Sequence, residues 1–210
     1  MFFEKGIIMA HAKWQWLGED HITYAVWDIE SWRAVYVDCF GFHEINHTPD
    51  ASPNGTSSME LYGLESGASR IALVSPINRS SISHVEYFLH KHGDHSVQHV
   101  AYGIRNLEAF ISEMKGKGFH FLGDIKYRID SFGPIKQIFA KRFDAHMTPA
   151  EGSFYEFVER PAQTETGFAD FFSSTVAGEL YEEVERDMVD DDGEPFKVLK
   201  GLKYLVPPRT

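Results

Sequence analysis

Two histidines and one glutamate have the types and spacing to do chemistry. His21 and His99 open stretches that repeat each other. The first reads His21-Ile-Thr-Tyr-Ala-Val-Trp-Asp-Ile-Glu-Ser-Trp32, the second His99-Val-Ala-Tyr-Gly-Ile-Arg-Asn-Leu-Glu-Ala-Phe110. At an offset of 78 residues, His, Tyr and Glu recur identically and the apolar positions match in kind. The repeat runs on to Gly41-Phe42-His43 and Gly118-Phe119-His120, at an offset of 77. Residues 70–74 then align with 154–158 at an offset of 84, which sets Glu156 opposite Ala72. A carboxylate among Phe154, Tyr155, Phe157 and Val158 is costly to bury unless paired or bound to metal. Two neutral imidazoles and one carboxylate make a facial triad with open coordination positions. That arrangement suits Fe(II), and Mn, Co or Zn could take the same ligands. A lone histidine on an apolar strand is more often a satisfied core residue. Only the repeat, which places equivalent residues around a pseudo-twofold axis, brings His21 and His99 to one point.

The elements that must position these residues follow the same duplication. Each histidine is followed by a strand-like apolar run: Ile22, Tyr24 and Val26, or Val100, Tyr102 and Ile104. Asp28 and Asn106 are good N-caps. Helical spacing follows at Ile29, Trp32, Val35, Tyr36 and Cys39, and at Leu107, Phe110, Ile111 and Met114. Gly41 and Gly118 stand where a helix end wants a positive φ. Strands are expected over 43–48, 57–64 and 69–75, then over 119–123, 136–141 and 153–159. The unit is strand–helix–three strands, present twice, an α+β fold of paired βαβββ modules around a shared cavity. Module one spans 18–76, a linker helix 80–92 and module two 96–160, together one domain over 18–160. Residues 161–210 are expected to form a helix over 176–188 and an acidic tail. Glu159 should face away from Glu156 and meet solvent. His43, His47, His84, His90, His92, His95, His120 and His146 read as solvated, with His120 able to pack.

Composition narrows the class of function. The 210 residues are 43% hydrophobic and 14% aromatic, which is globular. A net charge of −11 disfavours nucleic acid. Its acidic excess, notable over 182–192, should aid solubility. No stretch approaches 18 consecutive apolar residues, and the N-terminus does not read as a signal peptide. The single cysteine, Cys39, fits a reducing, cytoplasmic home.

The chain resembles the vicinal-oxygen-chelate superfamily, and within it the catalytic half of the 4-hydroxyphenylpyruvate dioxygenase and hydroxymandelate synthase family. The matching segments are Asp20-His21, Ser75-Pro-Ile-Asn78, Val97-Gln-His-Val-Ala101, Lys117-Gly-Phe-His-Phe121, Gln137-Ile-Phe139 and Tyr155-Glu-Phe-Val-Glu-Arg160. Gly167-Phe168 and Leu180-Tyr-Glu-Glu-Val-Glu-Arg-Asp187 continue the series. The resemblance implies that His21, His99 and Glu156 are iron ligands, and that Asn78 and Gln137 line the substrate pocket. It also implies that Phe168 lies in a segment over the pocket mouth. The chain departs from the family at Gly63, where a pocket serine is expected, and near Ala177, where a phenylalanine is expected.

The implied activity is oxidative decarboxylation of a 2-oxo acid such as 4-hydroxyphenylpyruvate, coupled to its hydroxylation by dioxygen. An extradiol dioxygenase and a glyoxalase or epimerase are alternatives within the superfamily. The latter two generally use a fourth protein ligand where this chain has Ala72. A non-catalytic small-molecule-binding protein is the alternative from another class. The chain corresponds to half of the family's usual length, and a homodimer could replace the missing pair of modules.

Overall fold

The computed structural model describes residues 14–130, 133–140, 152–161 and 174–187. Along the chain run β1 (Gln15–Ala25), α1 (Ile29–Ala34), a π-helical segment (Val35–Cys39), β2 (His43–Thr48), β3 (Ser57–Ser66) and β4 (Ser69–Asn78). Then come α2 (His84–His92), β5 (Ser96–Arg105), α3 (Leu107–Gly116), β6 (Phe121–Asp130), β7 (Gly133–Ala140), β8 (Phe154–Glu159) and α4 (Ser174–Asp187). The eight strands form one sheet in the order β2-β3-β4-β1-β5-β8-β7-β6. Each half is therefore the mirror of the other in strand order. β1 pairs with β4 in parallel, as β5 pairs with β8 in parallel. The two halves join where β1 and β5 run antiparallel.

Register makes the duplication exact at the residues that matter. Thr23, two residues after His21, pairs with Ala72. Ala101, two residues after His99, pairs with Glu156. Alternation then sends His21, Thr23 and Ala25 to one buried face. The same face carries His99, Ala101, Phe154, Glu156 and Val158. The other face is covered by α1 against Val26, Tyr62, Leu64 and Leu73, and by α3, whose Leu107, Phe110 and Ile111 pack with Phe121, Ile138 and Phe157.

Helix ends follow the expected caps. Asp28 Oδ1 accepts from the Ser31 backbone N–H at 3.0 Å, and Asn106 Oδ1 from that of Ala109 at 3.4 Å. Gly41 and Gly118 have φ of +73° and +85°, the region expected there. The first helix does not continue as α to Cys39. It widens after Ala34, and the Phe40 N–H bonds the Val35 carbonyl five residues back. That turn presents the Tyr36 hydroxyl to His95 Nε2 at 3.0 Å. His95, at φ +57°, stacks between Trp32 and Tyr24 at ring distances of 3.8 and 4.5 Å. It is a joint between the two modules, not the solvated histidine its polarity suggests.

Three further expectations are corrected. The linker helix begins at His84, not residue 80, because Ser83 caps it and Ser80 and Ser81 hydrogen-bond the Thr56 carbonyl. The tail helix expected over 176–188 is present as α4, and the start of the acidic stretch, read as an aid to solubility, is docked with it. Ala177, Leu180, Tyr181 and Val184 of α4 are buried, and Glu183 pairs with Lys126 at 2.7 Å. Gly178 permits this docking, since a Cβ there would lie 2.3 Å from the Ala51 carbonyl oxygen. No helix among the described residues is long and apolar enough to cross a membrane.

Glu159 does point away from Glu156, but it meets the start of α3 rather than water. Its carboxylate accepts from the backbone N–H groups of Asn106 and Leu107, both at 3.0 Å, and from Lys136 Nζ at 2.9 Å. Burial raises its carboxyl pKa; the helix-end N–H groups and Lys136 outweigh that and hold it below the ordinary value. A depressed folded-state pKa contributes stability above the unfolded-state value and loses it as pH falls. Glu159→Gln should cost about 1–2 kcal/mol near neutrality, with solvent screening favouring the lower figure. The gap to wild type should close as pH falls through the carboxylate range, read by urea melts across pH. A gap independent of pH would contradict the charged cap.

Candidate metal centre

The two duplicated strands meet at the sheet centre, and their histidines meet with them. His21 on β1, His99 on β5 and Glu156 on β8 offer donor atoms that all lie within 4.8 Å of one another. His21 Nε2 and His99 Nε2 are each 3.3 Å from the same oxygen, Glu156 Oε2. The residues are 0%, 7% and 1% exposed. The surroundings aim these atoms. Asp20 Oδ1 lies 2.9 Å from His21 Nδ1. A carboxylate can only accept, so Nδ1 carries the hydrogen and Nε2 presents its lone pair. Arg160 holds Asp20 in turn, with Nε and Nη2 donating at 2.6 and 2.8 Å. Gln137 Nε2 donates to Glu156 Oε1 at 2.7 Å and leaves Oε2 to face the histidines. His99 Nδ1 lies 3.2 Å from Gln98 Oε1, and its Nε2 lies 2.9 Å from the Thr23 hydroxyl.

Electrostatics follow from this placement. Burial alone would raise the Glu156 carboxyl, but the two imidazoles more than offset it and hold its pKa at about 2. Burial lowers His21, yet Asp20 and Glu156 together raise it above its ordinary value. Burial lowers His99, and Glu156 alone does not reverse that. His99 has no counterpart of Asp20, and the neighbouring His21 and His84 lower it further. Asp20 would also be raised by burial, and Arg160 and His21 hold it far below its usual range.

The donor set fits a divalent cation. Neighbouring ligands at ~2.1 Å from a metal stand ~3.0 Å apart in octahedral and ~3.4 Å apart in tetrahedral geometry; both histidine–Glu156 separations, 3.3 Å, fall between, and the full set, within 4.8 Å, closes on a cation by small side-chain shifts. A fourth protein ligand is absent from the symmetric position, because Ala72 occupies it and is fully buried. The arrangement can thus bind a cation through three protein groups and leave the remaining positions to a ligand.

A cavity of about 30 Å³ adjoins Thr23, His99 and Glu156. Met59, Leu61, Val74, Phe139 and Phe154 line it from the sheet, and Leu180, Tyr181 and Val184 close it from α4. Ala177, where the family's phenylalanine was expected, is also in its wall. Of the residues expected to contact substrate, Gln137 is buried and bonded to Glu156, behind the donor atoms rather than in the cavity wall. Asn78 is exposed and outside that wall. Its Oδ1 accepts from the Ser83 N–H at 2.9 Å and its amide nitrogen donates to Glu86. Phe168 lies outside the described residues. Residue patterns missed Asp20, Thr23, Gln98 and His84 as parts of the site. Asp20 had a signal, its adjacency to His21. His84 had none, since its partner Glu185 is 101 residues away.

Comparison with known proteins agrees with this architecture. Residues 20–132, more than half of the chain, match the profile of the Glyoxalase/Bleomycin resistance protein/Dioxygenase superfamily. A 4-hydroxyphenylpyruvate dioxygenase of Legionella pneumophila (strain Corby) is 25% identical over 198 residues, covering 81% of this chain and 54% of the relative. The chain thus spans about half the length of the curated relatives it matches. A triple mutant of 4-hydroxymandelate synthase from Streptomyces coelicolor superposes with a TM-score of 0.69 at 19% identity, over 80% of this chain and 53% of that one. At that identity the likeness shows the fold. A methylmalonyl-CoA epimerase from the same species superposes with a TM-score of 0.51 at 25% identity, over 71% of this chain and 100% of that one. With its duplicated sheet, its register and its profile match, the chain belongs to the glyoxalase/bleomycin resistance protein/dioxygenase superfamily.

Proposed function

We propose that this chain is an Fe(II)-dependent dioxygenase that converts a 2-oxo acid by oxidative decarboxylation coupled to hydroxylation. His21, His99 and Glu156 are its metal ligands in this reading. The observation that carries it is the convergence of two imidazoles and one carboxylate, with alanine at the fourth symmetric position. Held by these three residues, Fe(II) would supply a Lewis acid for the oxo acid and a one-electron donor for dioxygen. Its similarity to a 4-hydroxyphenylpyruvate dioxygenase supports an aryl oxo acid as the first substrate to test.

The chain's own residues do the rest. Asp20 and Arg160 orient His21, Gln98 orients His99 through Nδ1, and Gln137 orients Glu156, while the Thr23 hydroxyl at His99 Nε2 gives way to the metal. Such partners typically change metal affinity by ~10–100-fold. The walls from Met59, Leu61, Val74, Phe139 and Phe154 keep bulk water from the reacting group. The cavity of about 30 Å³ has room for about one or two waters, so any oxo acid must displace side chains of its wall, such as Leu180 and Val184 of α4.

Two outcomes are expected. Fe(II) added without oxygen should raise the thermal midpoint of the wild type, while Glu156→Ala should bind no iron and show no rise. Its circular dichroism should match wild type, since the sheet and its apolar clusters remain, although its thermal midpoint without metal should fall because Gln137 loses its buried partner. A Glu156→Ala protein that still binds iron would remove Glu156 from the ligand set. Separately, 4-hydroxyphenylpyruvate added to the iron-loaded protein should drive oxygen uptake matched by carbon dioxide release. Tightly bound iron without uptake from this or a smaller oxo acid would instead favour the proton-transfer chemistry of the epimerase-like relatives.

A further inference from the structure

The cavity beside the three ligands has a second polar wall. His84 opens α2, is 3% exposed and lines that cavity. Glu185 of α4 accepts from the His84 backbone N–H at 2.8 Å and from its ring Nδ1 at 2.9 Å. Because the carboxylate can only accept, the ring hydrogen sits on Nδ1 and Nε2 holds the lone pair. No hydrogen bond to His84 Nε2 is made among the described residues. The Tyr181 ring packs 4.6 Å from the imidazole, and its hydroxyl is engaged by Ser57 at 2.7 Å. A base within an apolar cavity, oriented by a third group, is the arrangement that general-base catalysis requires.

We propose that His84, oriented by Glu185, takes a proton from the carbon next to the carbonyl of a 2-oxo acid held by His21, His99 and Glu156 through their metal. This rests on the oxo-acid reading above. His84 stands in the wall of the same cavity as His99 and Glu156. Among the described residues of that wall, the apolar side chains, Thr23 and Gln98 offer no base, the Tyr181 hydroxyl is engaged by Ser57, and His99 and Glu156 are committed to the centre. In the step, the C3–H bond breaks and its proton goes to His84 Nε2. The electron pair forms the C2–C3 double bond, and the carbonyl pair moves onto the C2 oxygen. Return of the proton from Nε2 restores the oxo acid, so nothing is oxidised and no co-reactant is consumed. Glu185 compensates the positive imidazolium between the two transfers.

The test is hydrogen exchange without oxygen. Iron-loaded protein in heavy water is given pyruvate, and separately 4-hydroxyphenylpyruvate, and deuterium at C3 is followed by mass spectrometry. Affinity for each acid is read from the visible absorption of the iron–oxo acid chelate. The wild type should exchange faster than free Fe(II) or metal-free protein. His84→Gln should slow exchange ~100-fold while leaving oxo-acid affinity within ~3-fold. Glu185→Gln, which keeps the contact but not the charge, should slow it ~10-fold or more. Exchange that persists in His84→Gln overturns the proposal, as does affinity that falls in step with exchange. Wild type that binds an oxo acid without exchanging it overturns His84 and leaves the oxo-acid reading standing. If neither acid binds the iron-loaded protein, the oxo-acid reading fails and the proposed base goes with it.

Discussion

The burial of one carboxylate governs this molecule. Glu156 is 1% exposed on a strand whose other inward neighbours are Phe154 and Val158. An ionised group in such a place is costly unless opposite charge and hydrogen bonds compensate it. Gln137 takes one oxygen, and two imidazoles face the other. His21 can serve only because Asp20 orients it, and Asp20 can be buried only because Arg160 and Arg70 accompany it. A chain of compensation thus runs from the end of β8 through the middle of β1 and back to the middle of β8. The same donors that compensate Glu156 are those that could hold a divalent cation, with both imidazoles neutral.

The fold serves this constraint through its pseudo-twofold axis. Antiparallel pairing of β1 with β5 brings the histidines together, and the two parallel pairings set the flanking strands in matching register. Symmetry would place a fourth side chain at Ala72, and alanine there makes the centre asymmetric. The half with Glu156 carries the charge, while the half with Ala72 adjoins Val74, Met59 and Leu61 and is apolar. The ligand space is consequently bounded by donors on one side and hydrocarbon on the other, with α4 across its open side.

Much of this was legible in residue order because a repeat carries three-dimensional information. The alignment of 21–32 with 99–110 located both histidines, and that of 70–74 with 154–158 located Glu156 and the alanine opposite it. Glu159 was read correctly for direction, since strand alternation is local, and incorrectly for surroundings, since α3 belongs to a distant segment. His84 and His95 were read as solvated for the same reason. Each is covered by partners far away in the chain, Glu185 for one and Trp32 and Tyr24 for the other. The widening of the first helix at Val35 was not read from residue order either, and the Tyr36 hydroxyl it presents meets His95, far away in the chain. Asn78, matched to a pocket residue by its motif, is drawn outward by the start of α2, which uses it to bind Ser83.

X-ray absorption at the iron edge tests the central claim most directly. The protein reconstituted with Fe(II) under anaerobic conditions should show a first shell of nitrogen and oxygen at ~2.0–2.2 Å, with outer-shell scattering from two imidazoles. His21→Ala and His99→Ala should each remove one imidazole from that scattering. A first shell containing sulfur, or outer-shell scattering unchanged in either variant, would contradict the account.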